Sequence, residues 1–212
     1  MSFFDDASLA FLPSGAAGKD GKAYSIKPTD GTGDFTFSRG SNLAATRVNA
    51  SGLIEKGREN LLTQSNRFDL WNLENVTSGH AGYDGTNDAY LQSGLGRLQL
   101  TISYGSGVYT ASVYVKAGFS DYVQFRIGGS QTVLARFELI DNGTSLIDTG
   151  TFDTNIEPVS GATGWYRISI SFNSDVTQFR IEPENDSSGT QTADSSVYVQ
   201  DAQLEIGLAA TD

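Results

Sequence analysis

"YTASVYVKAGFSDYVQFRIGGSQTVLARFELIDNG", residues 109–143, decides the fold. Its apolar residues recur at every second position: Ala111, Val113 and Val115, then Val123, Phe125 and Ile127, then Val133, Ala135, Phe137 and Leu139. The positions between are polar or amphipathic: Thr110, Ser112, Tyr114 and Lys116 in the first run, Gln124 and Arg126 in the second, Arg136 and Glu138 in the third. Successive side chains of an extended chain point to opposite faces, so each run is predicted as a strand with one face in a core and the other in solvent. The turn signals "KAGFSD", "IGGSQ" and "IDNGTS" separate the runs by too few residues for a crossover helix, so the neighbours are expected to pair antiparallel.

The same pattern extends outward. "WYRISISF", residues 165–172, places Tyr166, Ile168, Ile170 and Phe172 on one face, and "RLQLTIS" and "TQFRIE" read as two further strands. "VSGATG", "FNSD" and "ENDSSG" supply turns between them. The last strand, "SSVYVQDAQLEIG", changes parity: Val197 and Val199 share a face, whereas Ala202, Leu204 and Ile206 follow the other. A β-bulge or bend near Gln200 and Asp201 reconciles the halves. No window carries a sustained apolar period of three to four, and 24 glycines interrupt the chain too often for long helices. The prediction is an all-β protein whose residues 67–212 form an antiparallel β-sandwich.

Residues 1–66 differ in texture. "SGAAGKDGKAYSIKPTDGTGDF" is Gly-rich and polar, while "DFTFSRG" and "AATRVNASGLIEKG" read as short strands, the second pair around an Asn-Ala-Ser-Gly turn. This part is expected to be an extended N-terminal arm with a small β element, which needs something larger to pack on.

Charge and composition exclude several functions. The chain has 14 basic and 25 acidic residues, a net charge of −11, with the acids dispersed. A surface of this sign disfavours nucleic acid, whose phosphates need concentrated positive charge. There is no cysteine, hence neither a disulfide scaffold nor a thiolate metal site. The opening "MSFFDDASLAFLPSG" lacks the basic region of a signal peptide, and no run approaches a membrane span. The sequons at Asn49, Asn75, Asn142 and Asn185 match the turn composition around them.

No catalytic constellation stands out. His80 is the single histidine and lies in "VTSGHAGYDG", a loop by composition with no nucleophile elbow near it. Acid pairs for glycoside hydrolysis could be drawn from Glu138, Asp141, Asp148, Asp153, Glu157, Glu182 and Glu184, but only spatial pairing would select two of them. Structural calcium, the one cofactor considered, would be sought at 30–34, 141–145 or 184–194, where oxygen ligands cluster in turns without EF-hand spacing. Aromatic rings on outward faces can stack on sugars; Tyr114 and Trp165 fall on the polar sides of their strands, and Trp71, Tyr83 and Tyr90 lie in or near loops. Trp71, Tyr114 and Trp165 are the candidate glycan-binding residues, and the competing reading has the rings covering sandwich edges or a subunit interface.

The segment "FTFSRGSNLAATRVNASGLIEKGRENLLTQSNRFDLW" resembles a family of bacteriophage virion proteins of the tail-fibre or head-fibre type. The likeness is carried by Arg39, Ala45, Thr46, Arg47, Val48 and Asn49, then Gly52 to Glu55, then Arg58, Asn60, Leu61 and Leu62, and finally Ser65, Asn66, Phe68 and Trp71. "YTASVYVKAG", "GWYRISISF" and "VYVQDAQLEIGLAATD" are similar to strands of the carbohydrate-binding-module-like jelly roll that commonly follows. The resemblance implies a non-enzymatic structural protein of the virion, on the tail or capsid surface, forming a homo-oligomer, in a fibre a trimer. Relatives of this kind often continue into further fibre domains, so a chain of this length is expected to be a base, an adaptor or a capsid decoration (cement) protein. It further implies that residues 1–66 dock the protein to other virion proteins or to its own copies, with Arg39, Arg47 and Arg58 at the contact, and that the jelly roll contacts a host-surface glycan.

Overall fold

The computed structural model describes residues 59–73, 75–140, 143–208 and 210, together with short strand segments nearer the N-terminus. The chain divides into two compact units, Met1–Gly57 and Arg58–Asp212. In the first, β1 (Ala10–Leu12), β2 (Lys22–Lys27) and β3 (Phe35–Thr36) form a three-stranded antiparallel sheet in that order. β4 (Thr46–Val48) and β5 (Ile54–Lys56) form a hairpin in which Arg47 stands opposite Glu55.

The second unit is built from ten antiparallel strands: β6 (Asn72–Leu73), β7 (Val76–His80), β8 (Ala89–Ser93), β9 (Leu98–Ala117), β10 (Tyr122–Gly128), β11 (Val133–Glu138), β12 (Thr144–Thr149), β13 (Thr151–Pro158), β14 (Trp165–Glu184) and β15 (Ser196–Ile206). Hydrogen bonding runs in the order β12-β11-β10-β14-β9-β15-β8-β7, with β13 added to β14 and β6 to β9. The two 20-residue strands, β9 and β14, turn this sheet into a sandwich because each serves both layers. The first half of β14 lies between β13 and the second half of β9; its second half lies between β10 and the first half of β9.

The crossover corrects one reading of the sequence. "FNSD" is no turn: Asn173 and Ser174 stay in the ladder opposite Val108 and Gly107. The register instead slips between Ser174 and Val176 and again between Val176 and Gln178. A bulge bends a strand without ending it. The inward residues accordingly change from Tyr166, Ile168, Ile170, Phe172 and Val176 to Phe179 and Ile181, and both sets join one core.

That core contains the residues that alternation selects. Ala111, Val113, Val115, Val123, Phe125, Ile127, Val133, Ala135 and Phe137 are all fully buried. Phe179 links the layers, its ring 4.8 Å from Phe125 and 5.5 Å from Trp71, both edge-on. Trp71 packs 4.8 Å from Phe68 and donates its Nε1–H to the carbonyl of Gln64 at 3.1 Å.

The expected bulge in the last strand is present. Asp201 has φ 47°, and the β15 register shifts between Gln200 and Gln203. β8 covers only Ser196–Val199, so beyond that point one edge of β15 needs other partners. Residues 60–66 provide them. Leu61 N–H donates to Leu204 O at 2.7 Å and Ala202 N–H to Ser65 O at 2.9 Å. Asn60 Oδ1 accepts from Leu204 N–H and Leu62 N–H, both at 3.0 Å, while its Nδ2 donates to Ala202 O at 3.1 Å. Residues 60–66, grouped with the arm by composition, are thus bonded to the sandwich, and they fall in the second compact unit, Arg58–Asp212.

The outer face of the β10–β11–β14 layer carries a buried charge network. Arg136 Nε pairs with Glu184 at 2.7 Å and its Nη2 reaches Gln124 Oε1 at 3.2 Å. Gln124 bonds Glu182, which also pairs with Arg180. Burial pushes the Glu184 carboxyl up to about 7; the Arg136 guanidinium opposes the rise, and Glu182 and Asp186 add to it. A carboxyl whose folded pKa lies above its unfolded value of 4.5 holds a proton that the unfolded chain releases, so stability is fullest below 4.5 and falls as pH rises through about 7. Replacing Glu184 by Gln is expected to flatten this part of the stability–pH curve, measured as urea midpoints at intervals from pH 4.5 to 7.5. An unchanged slope would show that Glu184 does not titrate in this window.

Candidate functional site

The opposite layer presents a different outer face. On β13 the residues Asp153, Asn155 and Glu157 alternate with inward or edge positions, and all three are exposed. Register places them against Ser171, Ser169 and Arg167 of β14. These stand opposite Thr110, Ser112 and Tyr114 of β9, which in turn face Glu205, Gln203 and Gln200 of β15. Directly opposed side chains on one sheet face are close enough to bond one another, so the result is three transverse rows of polar groups across four strands.

The rows are cross-linked where they approach β9. Thr110 Oγ1 and Ser171 Oγ lie 2.9 Å apart, and Thr110 also donates to Gly207 O at 2.8 Å. Arg167 Nη2 donates to Gln203 Oε1 at 2.7 Å, and its guanidinium carbon lies 5.4 Å from the Tyr114 ring centre. These contacts hold the Arg167 head in one orientation, which lowers the ordering cost of binding anything against it. Toward β13 the face opens into a groove of about 200 Å³, lined by Asp153, Asn155, Glu157, Arg167, Ser169 and Ser171 together with Leu208. Asn155 Nδ2 donates to Glu157 Oε1 at 2.8 Å, which fixes the amide between the two carboxylates.

Beside the groove stands an aromatic group. Tyr83 stacks on Tyr114 with ring centres 3.8 Å apart and planes at 11°, and meets Trp165 edge-on at 6.2 Å. Gln200, completely buried, ties the Tyr83 loop down: its Oε1 accepts from Tyr83 N–H at 2.9 Å, and its Nε2 donates to Asp88 at 2.7 Å and Asp84 at 3.2 Å. The Tyr83 hydroxyl donates to Asp201 at 3.0 Å. Burial, reinforced by the Asp201 charge, pushes the Tyr83 phenol up; burial and the neighbouring Asp88 and Asp84 push the Asp201 carboxyl up.

The candidate residues distribute unevenly over this face. Tyr114 is half-buried on it, and its ring is already engaged by Tyr83 and Arg167. Trp165 is on the outward side, as alternation requires, yet only 4% exposed beside Tyr83. Trp71 is 4% exposed inside the core, so its ring offers no sugar platform. Tyr90 likewise is not in a loop but in β8, buried, with its hydroxyl on Asp69 at 3.0 Å. His80 ends the strand β7 opposite Ala89 and is not in a loop. Its strand has a mostly exposed face on each side, so no alternation betrays it in the sequence.

Arg39 and Arg58 lie outside the described residues, and Arg47 is placed by register alone. For calcium, 30–34 and 141–142 also lie outside the described residues. In the 184–194 turn Asp186 accepts hydrogen bonds from Ser188 and Thr190, which hold its carboxyl well below the usual range. Among the described residues no three acidic or histidine side chains are gathered to hold a metal. Among these residues no helix is long and apolar enough to cross a membrane.

Two contributors to the face are not singled out by the sequence: Arg167, one polar position in an alternating run, and β13, which has too little apolar content to register as a strand; Tyr83 is named there as a loop aromatic and does lie in a loop. The usable signal was the parity of Asp153, Asn155 and Glu157, which marks an edge strand with a polar outer face. No protein-family model matches the chain, and no curated protein is similar to it.

Proposed function

We propose that this protein is a non-enzymatic structural component of a phage particle, of the fibre-base or adaptor type, whose sandwich contacts host-surface glycan through the β13–β14–β9–β15 face. The observation that carries the binding role is the groove. Carboxylates, an amide, hydroxyls and an oriented guanidinium line one open depression of about 200 Å³. Such a set can share donors and acceptors with the several hydroxyls of a sugar ring, while the Tyr83–Tyr114 pair supplies an apolar flank. The placement in a virion rests on the likeness of residues 35–71 to fibre proteins and of the later strands to their jelly roll.

A broad glycan panel tests the binding role, with Asn155→Ala and Glu157→Gln as variants. Both side chains are exposed on an edge strand, so the variants are expected to fold like the parent. Loss of a charged or amide hydrogen-bonding partner costs a ligand roughly tenfold or more in affinity. Binding to no glycan, or binding that both variants retain in full, would overturn this use of the groove. Trp165→Ala is a poorer probe because it removes a buried ring and reports packing. The copy number in purified virions, taken against the major capsid protein, tests the placement. A few copies per tail or vertex fit a fibre or adaptor, a number near that of the capsid subunits fits decoration, and absence from particles would overturn both.

A further inference from the structure

From the same face we infer that a second hollow, lined by His80, Lys116 and Tyr198, takes the carboxylate of an acidic sugar residue, so that the face selects acidic over neutral glycans. The inference deepens the glycan reading and rests on it.

The hollow encloses about 150 Å³ on the outer side of the sheet, where β7, β9 and β15 come together. Register joins it to the aromatic group: Lys116 stands opposite Trp165 on one side and Tyr198 on the other. Between the β14 wall of the groove and the β15 wall of the hollow lie two strand spacings, roughly 10 Å. The depressions are also offset along the strands, Lys116 lying four residues beyond Ser112 in β9, so one extended saccharide of several residues spans both.

The hollow differs from the groove in charge. The groove holds Asp153 and Glu157 against Arg167, whereas the hollow holds an ammonium, an imidazole and a phenol, with no carboxylate among its lining residues. Among the described residues the Lys116 ammonium makes no ion pair or hydrogen bond, in a chain of net charge −11 that offers many acidic side chains. The lysine is nonetheless held. Its Nζ sits 6.0 Å from the Tyr198 ring centre, at the reach of a cation–π contact. Its Cε would touch a Cβ at Gly164, 3.6 Å away, so the stem runs alongside that glycine. Opposite, His80 packs edge-on to Tyr198 at 5.4 Å and shares a hydrogen bond between Nε2 and Thr77 Oγ1 at 2.9 Å. When the Thr77 hydroxyl donates in that bond, Nδ1 carries the ring proton and is a donor for an anion. A positioned ammonium beside a part-exposed imidazole, in a hollow lined by no carboxylate, is what a carboxylate requires and a neutral hydroxymethyl group does not use.

The experiment compares acidic bacterial polysaccharides bearing hexuronic acid with the same polysaccharides after reduction of the carboxyl groups to alcohols. The full chain and its Lys116→Gln and His80→Ala variants are titrated with both forms at low and at moderate salt. The parent is expected to bind the acidic form about tenfold more tightly, a preference that shrinks with salt and that both Lys116→Gln and His80→Ala reduce, Lys116→Gln to the point where the two forms bind alike. Equal binding of the two forms by the parent, or a preference that survives Lys116→Gln, overturns the inference and leaves the groove reading standing. Binding of neither form by any protein, together with a silent glycan panel, overturns the groove reading itself. A preference for phosphorylated or sulfated glycans, without one for uronic acids, assigns the hollow to a different anion and overturns the carboxylate.

Discussion

Phe179→Ala is expected to lower the stability of the sandwich by about 3–5 kcal/mol, the range for deleting a buried phenyl ring. Phe179 is fully buried, and it is the first inward residue after the β14 bulges. Its ring touches Phe125 from β10 and Trp71 from the entry segment, so removing it opens a cavity bounded by three elements that cannot collapse together. A domain of this size has roughly 5–15 kcal/mol of total stability, so the variant should be close to unfolding at physiological temperature. Urea unfolding checks this: the midpoint should fall steeply with little change in slope. Ile206→Ala, at a position 64% exposed, is the control and should stay within about 0.5 kcal/mol of the parent. A Phe179→Ala loss no larger than the control's would mean that the two layers do not depend on this contact.

Asn60→Ala is expected to cost about 2–3 kcal/mol, because it strands backbone groups as well as removing a side chain. Asn60 Oδ1 serves the amides of Leu62 and Leu204, and Nδ2 serves the carbonyl of Ala202. No other described group replaces them at the bulged edge of β15, where β8 has already ended. Asn60→Asp separates the contributions: it keeps the acceptor for both amides and loses the donor, so an intermediate loss is expected. Amide exchange at Leu204 should quicken in Asn60→Ala and stay slow in Asn60→Asp. A loss below about 0.5 kcal/mol with unaltered exchange would show that water serves this edge as well as the asparagine does.

Asn60, Leu61, Leu62, Ser65, Asn66, Phe68 and Trp71 all belong to residues 35–71, and the described part of that stretch has a structural task. Leu62, Phe68 and Trp71 enter the core, and Asn60, Leu61 and Ser65 seal an edge. Asn66 bridges Asp88 at 2.8 Å and the amide of Asp201, which braces the same loop that carries Tyr83.

The sequence by itself determined the class of fold and most of the core. Alternation is a local property, since an extended chain sends every second side chain the same way whatever it later packs against, and so the inward residues of β9 to β11, β14 and β15 were legible one strand at a time. The bulge at Asp201 was legible for the same reason, as a change of parity within one strand. Only the tertiary structure decided which strands are neighbours. Polar outward residues carry no local mark of whether solvent, another strand or a ligand will meet them. That Asn155, Ser169, Ser112 and Gln203 form one row depends on four strands drawn from distant parts of the chain. The merging of "RLQLTIS" with "YTASVYVKAG" and of "WYRISISF" with "TQFRIE" into two long shared strands was hidden too, because "FNSD" has the composition of a turn and continues as a strand only through its pairing with Gly107 and Val108. The fate of the aromatic rings followed the same rule: Trp71 and Tyr90 went into the core and Tyr114 onto the open face, because burial depends on what folds over a residue and not on its neighbours in sequence.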